Sequence, residues 1–135
     1  MMSLAEASRM VSFGLVVLIW LVQIIIYPSF AEVAPDRFRA HHAAYTRAIS
    51  WFVIPLMFGQ VFLIGRGLVD RPDRWGILAA ALVVAAWVSI FVLSVPLHGK
   101  LQEAGYDADL IRRLVATNWP RTVAWTLAFL ALLMK

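Results

Sequence analysis

The side chains of this sequence that could do chemistry gather around three histidines and one arginine. His41 and His42 are adjacent near the start of the second apolar stretch, His98 follows the third, and Arg121 lies inside the fourth. Imidazole transfers protons near neutral pH, and a guanidinium binds an anionic oxygen. Ionisable groups near membrane depth are costly and therefore point to a functional site. The residues expected to carry catalysis are His41, His98, Arg121 and Asn118.

The expected chemistry acts on an apolar aromatic or quinone-like molecule that enters from the bilayer. His41 or His98 would transfer protons, while Arg121 and Asn118 would stabilise a developing oxyanion. Two aromatic side chains would stack against the ring of this substrate, Tyr45 and Trp119.

The histidines also raise the hypothesis of a haem or transition-metal site, because imidazole is a common ligand of copper, zinc and iron. Adjacent residues of a helix point about 100° apart, so only one of His41 and His42 could join His98 at a common centre. His41 and His98 are the candidate pair. The chain has no cysteine, which excludes thiolate zinc sites and iron–sulfur clusters.

Composition identifies the elements that must position these residues. Hydrophobic residues make up 62% and charged residues 15% of the 135 residues, against about 45–50% and 25% in soluble domains. This excludes a water-soluble globule, a disordered chain and a disulfide scaffold. The apolar stretches predict a single all-α domain over residues 1–135, with transmembrane helices at about 8–30, 36–68, 75–98 and 109–134.

The predicted architecture is a four-helix transmembrane bundle that runs up-down-up-down with both termini on the same side. Each helix contains a proline and is expected to be kinked, at Pro28, Pro55, Pro96 and Pro120. The first span is too long for the apolar core of a signal peptide, so we expect it to be retained. The fourth is expected to be one longer helix bent at Pro120, or a surface helix leading into the membrane.

The expected location is a bacterial-type inner membrane, as a multi-pass protein whose first partner is the lipid bilayer. The 12 basic and 8 acidic residues give a net charge of +4. The basic residues divide almost evenly between the two faces, so they leave the orientation open. No basic stripe with interleaved aromatics is present, so nucleic acid is not an expected partner. The small residues Ala81, Ala85 and Ser89 predict close packing, inside the bundle or in a homo-oligomer or membrane complex.

Two segments of the C-terminal half carry a family resemblance. The run Val95-Pro96-Leu97-His98, followed by Asn118-Trp119-Pro120-Arg121-Thr122, resembles the anthrone oxygenase-like family of small four-helix membrane proteins, over roughly residues 91–130. That family is largely of unknown function. The resemblance implies a membrane oxygenase that acts on polycyclic aromatic molecules without an evident cofactor.

Three functions therefore remain open at this point. The first is an oxygenase- or oxidoreductase-like enzyme acting on an apolar aromatic or quinone-like substrate. The second is a non-catalytic membrane subunit or assembly factor, and the third is a haem- or metal-binding membrane protein. No carboxylate lies in the middle of a predicted span, which argues against a proton-coupled transporter or a carboxylate-bridged di-iron bundle.

Overall fold

The computed structural model describes residues 1–135 as four helices joined by short connections. Helix α1 spans Leu4–Glu32, α2 spans Phe38–Asp70 and α3 spans Arg74–Ala104. Helix α4 spans Ala108–Leu133. The chain contains no strand, so the all-helical prediction is confirmed.

The first three helices are long and apolar enough to cross a bilayer. Their outward faces expose large apolar side chains, including Trp51 and Phe62 on α2 and Phe91 on α3. A soluble monomer rarely exposes so much apolar surface, whereas lipid accommodates it at little cost. Three such helices and this exposed apolar surface therefore suggest a membrane protein.

Three polar side chains near the middle of helix α4 face the interior of the bundle. Asn118, Arg121 and Thr122 are all buried. Pro120 lies within this one continuous helix, whereas a bend at Pro120 and a surface position of the first part of the helix stay predictions. The inward polar residues make α4 less apolar than its neighbours, although it lies against both α1 and α3.

Helices α1 and α3 each contain one π-helical turn, at Val22–Ile26 and Ile90–Ser94. Such a turn bonds each carbonyl to the N–H five residues ahead and inserts one extra residue into the helix. Each π turn precedes a proline by two residues, Pro28 and Pro96, which lack the N–H that a regular helix would use there. The extra residue changes which side chains beyond the turn face the bundle.

The third helix extends past the predicted end near residue 98. It continues through His98 to Ala104, and Gly105 ends it with a φ of 83°. Pro96 does not end the helix because it lies in the first turn after the π turn, where its missing N–H costs little. His98 is therefore a helical residue rather than part of a terminal loop.

Small side chains bring α3 and α4 into the most extensive contact between helices. Ala79 and Ala86 of α3 and Ala128 and Ala131 of α4 are buried. Small residues let helix backbones approach closely where no water is available to drive association.

The predicted small-residue stripe is not this packing surface. Ala81 and Ala85 are exposed, and only Ser89 of that stripe is buried. The stripe and the observed contact lie on different faces of α3, because neighbouring helical positions differ by about 100°. A role of Ala81 and Ala85 between protomers stays a prediction.

The chain termini and the connection between α2 and α3 meet at one end of the bundle. Arg9 Nε of α1 donates a hydrogen bond to the carbonyl oxygen of Leu132 at 3.0 Å. The ammonium of the C-terminal Lys135 pairs with Asp73 at 2.7 Å. This end is thus fixed by ordinary surface polar contacts.

Replacing Asp73 by alanine should lower the thermal stability of the detergent-solubilised protein. Asp73 Oδ1 caps α3 by accepting the N–H groups of Trp75 and Gly76 at 3.0 and 2.9 Å. Loss of this cap should lower the unfolding midpoint by about 3–6 °C. Asp73→Asn keeps a capping oxygen and should lose less, and equal midpoints for both variants would contradict this account.

The same carboxylate makes the stability depend on pH. The Lys135 ammonium, and next the Gly76 N–H, lower the pKa of Asp73 below its ordinary value. A lowered pKa in the folded state means that the contribution is present at neutral pH and is lost as the pH falls through that low pKa. The difference in unfolding midpoint between wild type and Asp73→Asn should therefore shrink in acid, as differential scanning would show.

Candidate functional site

A chain of hydrogen-bonded polar side chains crosses the interior of the bundle near the end opposite the termini. All four helices contribute to it. Helix α1 provides Gln23 and Tyr27, and α2 provides His42. The members from α3 are His98 and Gln102, and those from α4 are Asn118, Arg121 and Thr122.

Two histidines and a tyrosine form the centre of this chain. His42 Nε2 lies 2.8 Å from His98 Nδ1, and His98 Nε2 lies 2.9 Å from the hydroxyl of Tyr27. His42 Nδ1 lies 2.8 Å from Gln102 Oε1. His42 and Tyr27 are only 1% and 3% exposed, so these bonds form away from bulk water.

The neighbouring groups fix the position of each proton in the chain. Gln102 Nε2 donates to the carbonyl oxygen of Arg39 at 3.3 Å, so its Oε1 faces His42 and can only accept. His42 Nδ1 must therefore donate, which leaves Nε2 of the neutral ring to accept from His98 Nδ1. His98 Nε2 then accepts from the Tyr27 hydroxyl. Every bond donates in the same direction, toward Gln102.

Arg121 is the cation of the site and has no carboxylate partner. It is 8% exposed, and none of the ion pairs in the structure includes it. Its Nη2 donates to the Tyr27 hydroxyl at 3.2 Å and also to Asn118 Oδ1. Its guanidinium carbon lies 5.8 Å from the centre of the Trp125 ring. Neutral oxygens and an aromatic face thus replace the usual counterion.

An amide pair anchors the inner end of the chain. Asn118 Nδ2 donates to Gln23 Oε1 at 2.8 Å, and Thr122 Oγ1 donates to the same oxygen at 3.0 Å. Gln23 Nε2 in turn donates to the carbonyl oxygen of Val115 at 3.1 Å. Gln23, Asn118 and Thr122 are nearly completely buried, so the polar groups around Arg121 hold a defined geometry.

A cavity of about 260 Å³ adjoins this chain. Most of its wall is apolar, for example Ile19 and Ile90. Its polar wall is formed by eight side chains, Tyr27, Tyr45, Thr46, Ser50, Ser94, His98, Arg121 and Trp125. The cavity therefore combines an apolar volume with one edge of hydrogen-bonding groups, as small-molecule sites do.

Two buried donors at this cavity have no hydrogen-bond partner. They are Arg121 Nε and Trp125 Nε1. Trp125 is only 1% exposed. An unsatisfied buried donor is costly, and native proteins leave few of them. Both donors belong to residues that line one cavity.

A larger cavity, of about 630 Å³, lies at the other end of the bundle. It is bordered by charged surface residues that already have partners. Arg9 bonds to a backbone carbonyl, Asp70 pairs with Arg66, and Asp73 pairs with Lys135. The smaller cavity is the better candidate site, because it is the one that adjoins the hydrogen-bonded chain.

The structure brings together some of the residues expected from the sequence. His98, Arg121 and Tyr45 line the cavity. Asn118 does not line the cavity and instead accepts a hydrogen bond from Arg121. Trp119 is 42% exposed and packs edge-to-face against Trp20, away from the cavity.

His98 pairs with His42 and not with its neighbour His41. His41 is exposed, whereas His42 is buried and bonds to His98. The two residues point about 100° apart on α2, and the rotation of α2 turns His42 inward. The expected centre formed by His41 and His98 is therefore corrected to a hydrogen-bonded pair of His42 and His98.

Six members of the site lay outside the expected set of catalytic and binding residues, namely Gln23, Tyr27, His42, Gln102, Thr122 and Trp125. Gln23 and Tyr27 could have been found as polar groups inside or at the end of an apolar run. Trp125 could have been found as the residue one helical turn beyond Arg121, on the same face. His42 itself gave no signal that distinguished it from His41.

The histidine pair leaves no space for one metal between the two rings. A metal ion lies about 2.0–2.1 Å from an imidazole nitrogen that binds it. Two such nitrogens on opposite sides of one metal are therefore about 4 Å apart. The facing nitrogens of His42 and His98 lie 2.8 Å apart, with ring centres 5.1 Å apart. The chain also brings no group of three or more His, Cys, Asp or Glu residues together in a metal-binding arrangement. These residues fit a hydrogen-bonded pair rather than a bis-histidine haem.

Comparison of the chain with known protein families, with curated proteins and with solved structures finds no match. The description of the site therefore stands on its geometry.

Gln23→Met should destabilise the protein more than the same substitution at Gln60. The first variant removes three hydrogen bonds, those from Asn118 and Thr122 to Gln23 Oε1 and that from Gln23 Nε2 to a backbone carbonyl, and leaves Asn118 and Thr122 only their longer bonds to each other, which costs about 1–3 kcal/mol. Gln60, also fully buried, makes one bond to Ser12 and has an unpaired Oε1. Gln60→Met removes that unpaired oxygen together with the bond, so its effect should be smaller. Chemical unfolding in detergent measures both, and equal losses would refute the stated role of Gln23.

Proposed function

We propose that this protein binds an apolar aromatic molecule carrying a phenolic or quinone-like oxygen and exchanges a proton with that oxygen. The main support for this proposal is that two buried donors, Arg121 Nε and Trp125 Nε1, have no hydrogen-bond partner and belong to residues that line one cavity. An oxygen atom of the ligand would accept from both. The enzyme class that fits is an oxygenase- or oxidoreductase-like membrane enzyme.

The charge of the site favours an anionic oxygen. Arg121 carries a buried positive charge that no carboxylate balances. A phenolate, or the oxyanion that develops during proton abstraction, would supply the missing negative charge. Groups already arranged around a developing charge in a dry site contribute strongly to catalysis.

The apolar walls and the membrane setting favour a lipid-soluble ligand. The cavity is lined by side chains such as Leu18, Val22 and Val53. Tyr45 lies at its polar edge and would pack against an aromatic ring. A ligand of this kind concentrates in the bilayer and would reach the cavity between the helices.

Tyr27 is the group that would exchange the proton. Its hydroxyl bonds to both His98 and Arg121, and it lines the cavity. Arg121 stabilises the phenolate form of Tyr27, and His98 can take the phenolic proton, so Tyr27 can act as a general base. Deprotonation of an aromatic hydroxyl makes the ring electron-rich, which suits the oxygenation of polycyclic aromatic molecules that the resemblance to anthrone oxygenase-like proteins implies.

We place this site in a bundle of four transmembrane helices that alternate in direction. The connections span residues 33–37, 71–73 and 105–107, which suits antiparallel neighbours. Both termini would then lie on the same side of a bacterial-type inner membrane. Helix α4 would cross the membrane with its polar residues shielded by α1 and α3.

Arg121→Gln should weaken the binding of 1-naphthol by about tenfold or more, because it removes a charge-assisted hydrogen bond to the ligand oxygen. Naphthalene has the same rings without the oxygen, so its affinity should change little. Calorimetric titration of the purified protein in mild detergent measures both. Equal losses for the two ligands would mean that Arg121 supports the cavity without recognising oxygen, and absence of 1-naphthol binding to the wild type would refute the proposed ligand class.

Trp125→Phe should weaken 1-naphthol binding by about 3- to 10-fold, since it removes one neutral donor but keeps an aromatic ring. Trp87→Phe is the matched control. Trp87 Nε1 is likewise buried and unpaired, but Trp87 does not line this cavity. A similar loss in both variants would show that the effect comes from packing and not from the ligand oxygen.

A further inference from the structure

We propose that Tyr27, His98 and His42 form a relay that carries a proton between the cavity and the membrane surface near Gln102. The ligand end of this relay rests on the proposed function. The relay itself can be tested without any ligand. It gives His42, which does not line the cavity, a defined task in the chemistry of the site.

The relay is continuous in distance and in direction. Its three bonds join Tyr27 Oη to His98 Nε2, His98 Nδ1 to His42 Nε2, and His42 Nδ1 to Gln102 Oε1, all between 2.8 and 2.9 Å. Each bond donates toward Gln102. A proton can therefore pass along the whole chain without the rotation of any ring.

The surroundings keep water away from the centre of the relay. Phe38 stacks on His42 with ring centres 5.8 Å apart, and Phe30 meets the same ring edge-on at 5.7 Å. Both phenylalanines are fully buried. The outer end differs, because Gln102 is exposed and bonds to the backbone at Arg39. Proton exchange between the cavity and water must then follow the side chains.

The transfer balances as an acid–base step. The exposed Gln102 side chain swings aside, and a water molecule that takes its place accepts the Nδ1 proton of His42. His98 then passes its Nδ1 proton to His42 Nε2, and Tyr27 passes its proton to His98 Nε2. The resulting Tyr27 phenolate accepts its bond from Arg121 and takes the proton of the ligand hydroxyl. One proton has then moved from the ligand to water, and no group has been oxidised or reduced.

The charged groups near the relay favour this direction. Arg121 of α4 is the cation at its inner end. At the outer end the guanidinium of Arg39 donates to the carbonyl oxygen of Glu103 at 2.7 Å and is exposed to water. The buried cation favours an anion at Tyr27, and the exposed end releases the proton into solvent. After the transfer each ring carries its proton at Nε2, so the chain resets when both imidazole rings turn over or when the same transfer runs in reverse.

Exchange of the His98 ring N–H with water tests the relay in the ligand-free protein. Nitrogen-15 NMR of histidine-labelled protein in detergent should show His98 and His42 each protonated at Nδ1, with a coupling across the bond between the two rings. His42→Gln should slow exchange of the His98 ring proton by about tenfold or more, because an amide accepts and donates hydrogen bonds but cannot relay a proton. A loosened structure would instead speed that exchange.

His41→Gln is the matched control, because His41 is adjacent on α2 and exposed. In His41→Gln the ring proton of His98 should exchange with water at the wild-type rate. Unchanged or faster exchange in His42→Gln would overturn the relay. So would protonation of His98 at Nε2 in the wild type, an observation that needs no variant to fold.

A second readout separates failure of the relay from failure of the proposed function. When 1-naphthol binds as its anion, a pH indicator should record release of one proton, and His42→Gln should slow this release while leaving affinity for 1-naphthol nearly unchanged. Binding with equally fast release in both proteins would overturn the relay and keep the proposed ligand. Absence of binding would overturn the ligand, and the NMR exchange would still decide the relay.

Discussion

The interior of this bundle is organised by one buried positive charge without a negative partner. Arg121 lies where no water can solvate it and no carboxylate balances it. A guanidinium carries five N–H donors in a rigid plane, so the surrounding helices must present acceptors at fixed places. Tyr27 and Asn118 are two of these acceptors, and Trp125 offers its aromatic face.

This requirement extends outward through the directions of the hydrogen bonds. The Tyr27 oxygen accepts from Arg121, and its own proton goes to His98. The amide oxygen of Gln102 faces His42 and sets the direction of the bonds between the two histidines. Arg121 on α4 and Gln102 on α3 therefore fix the two ends of a chain to which all four helices contribute. The same bonds fix the helices laterally where apolar packing alone would not specify a register.

The sequence predicts the helices well because apolar length and the absence of charge are strong signals in lipid. It also places His98, Arg121 and Tyr45 in one region, since polar side chains are rare in such helices. The sequence did not indicate that His42 rather than His41 faces the site, because this depends on how α2 is rotated about its axis. Rotation is set by contacts between helices, such as the packing of Phe38 on His42, and a single helix does not encode it.

The π-helical turns of α1 and α3 add a constraint on how such a chain can change in length. Each turn contains one residue more than a regular helix would, and the wider turn absorbs that residue. Loss of a single residue from Val22–Ile26 would let this turn become a regular α-helical turn, with Tyr27 still facing the interior. Loss of one residue from a regular stretch of the same helix would instead rotate everything beyond it by about 100°. The π turns are therefore the segments in which these helices can lose one residue and still assemble the site.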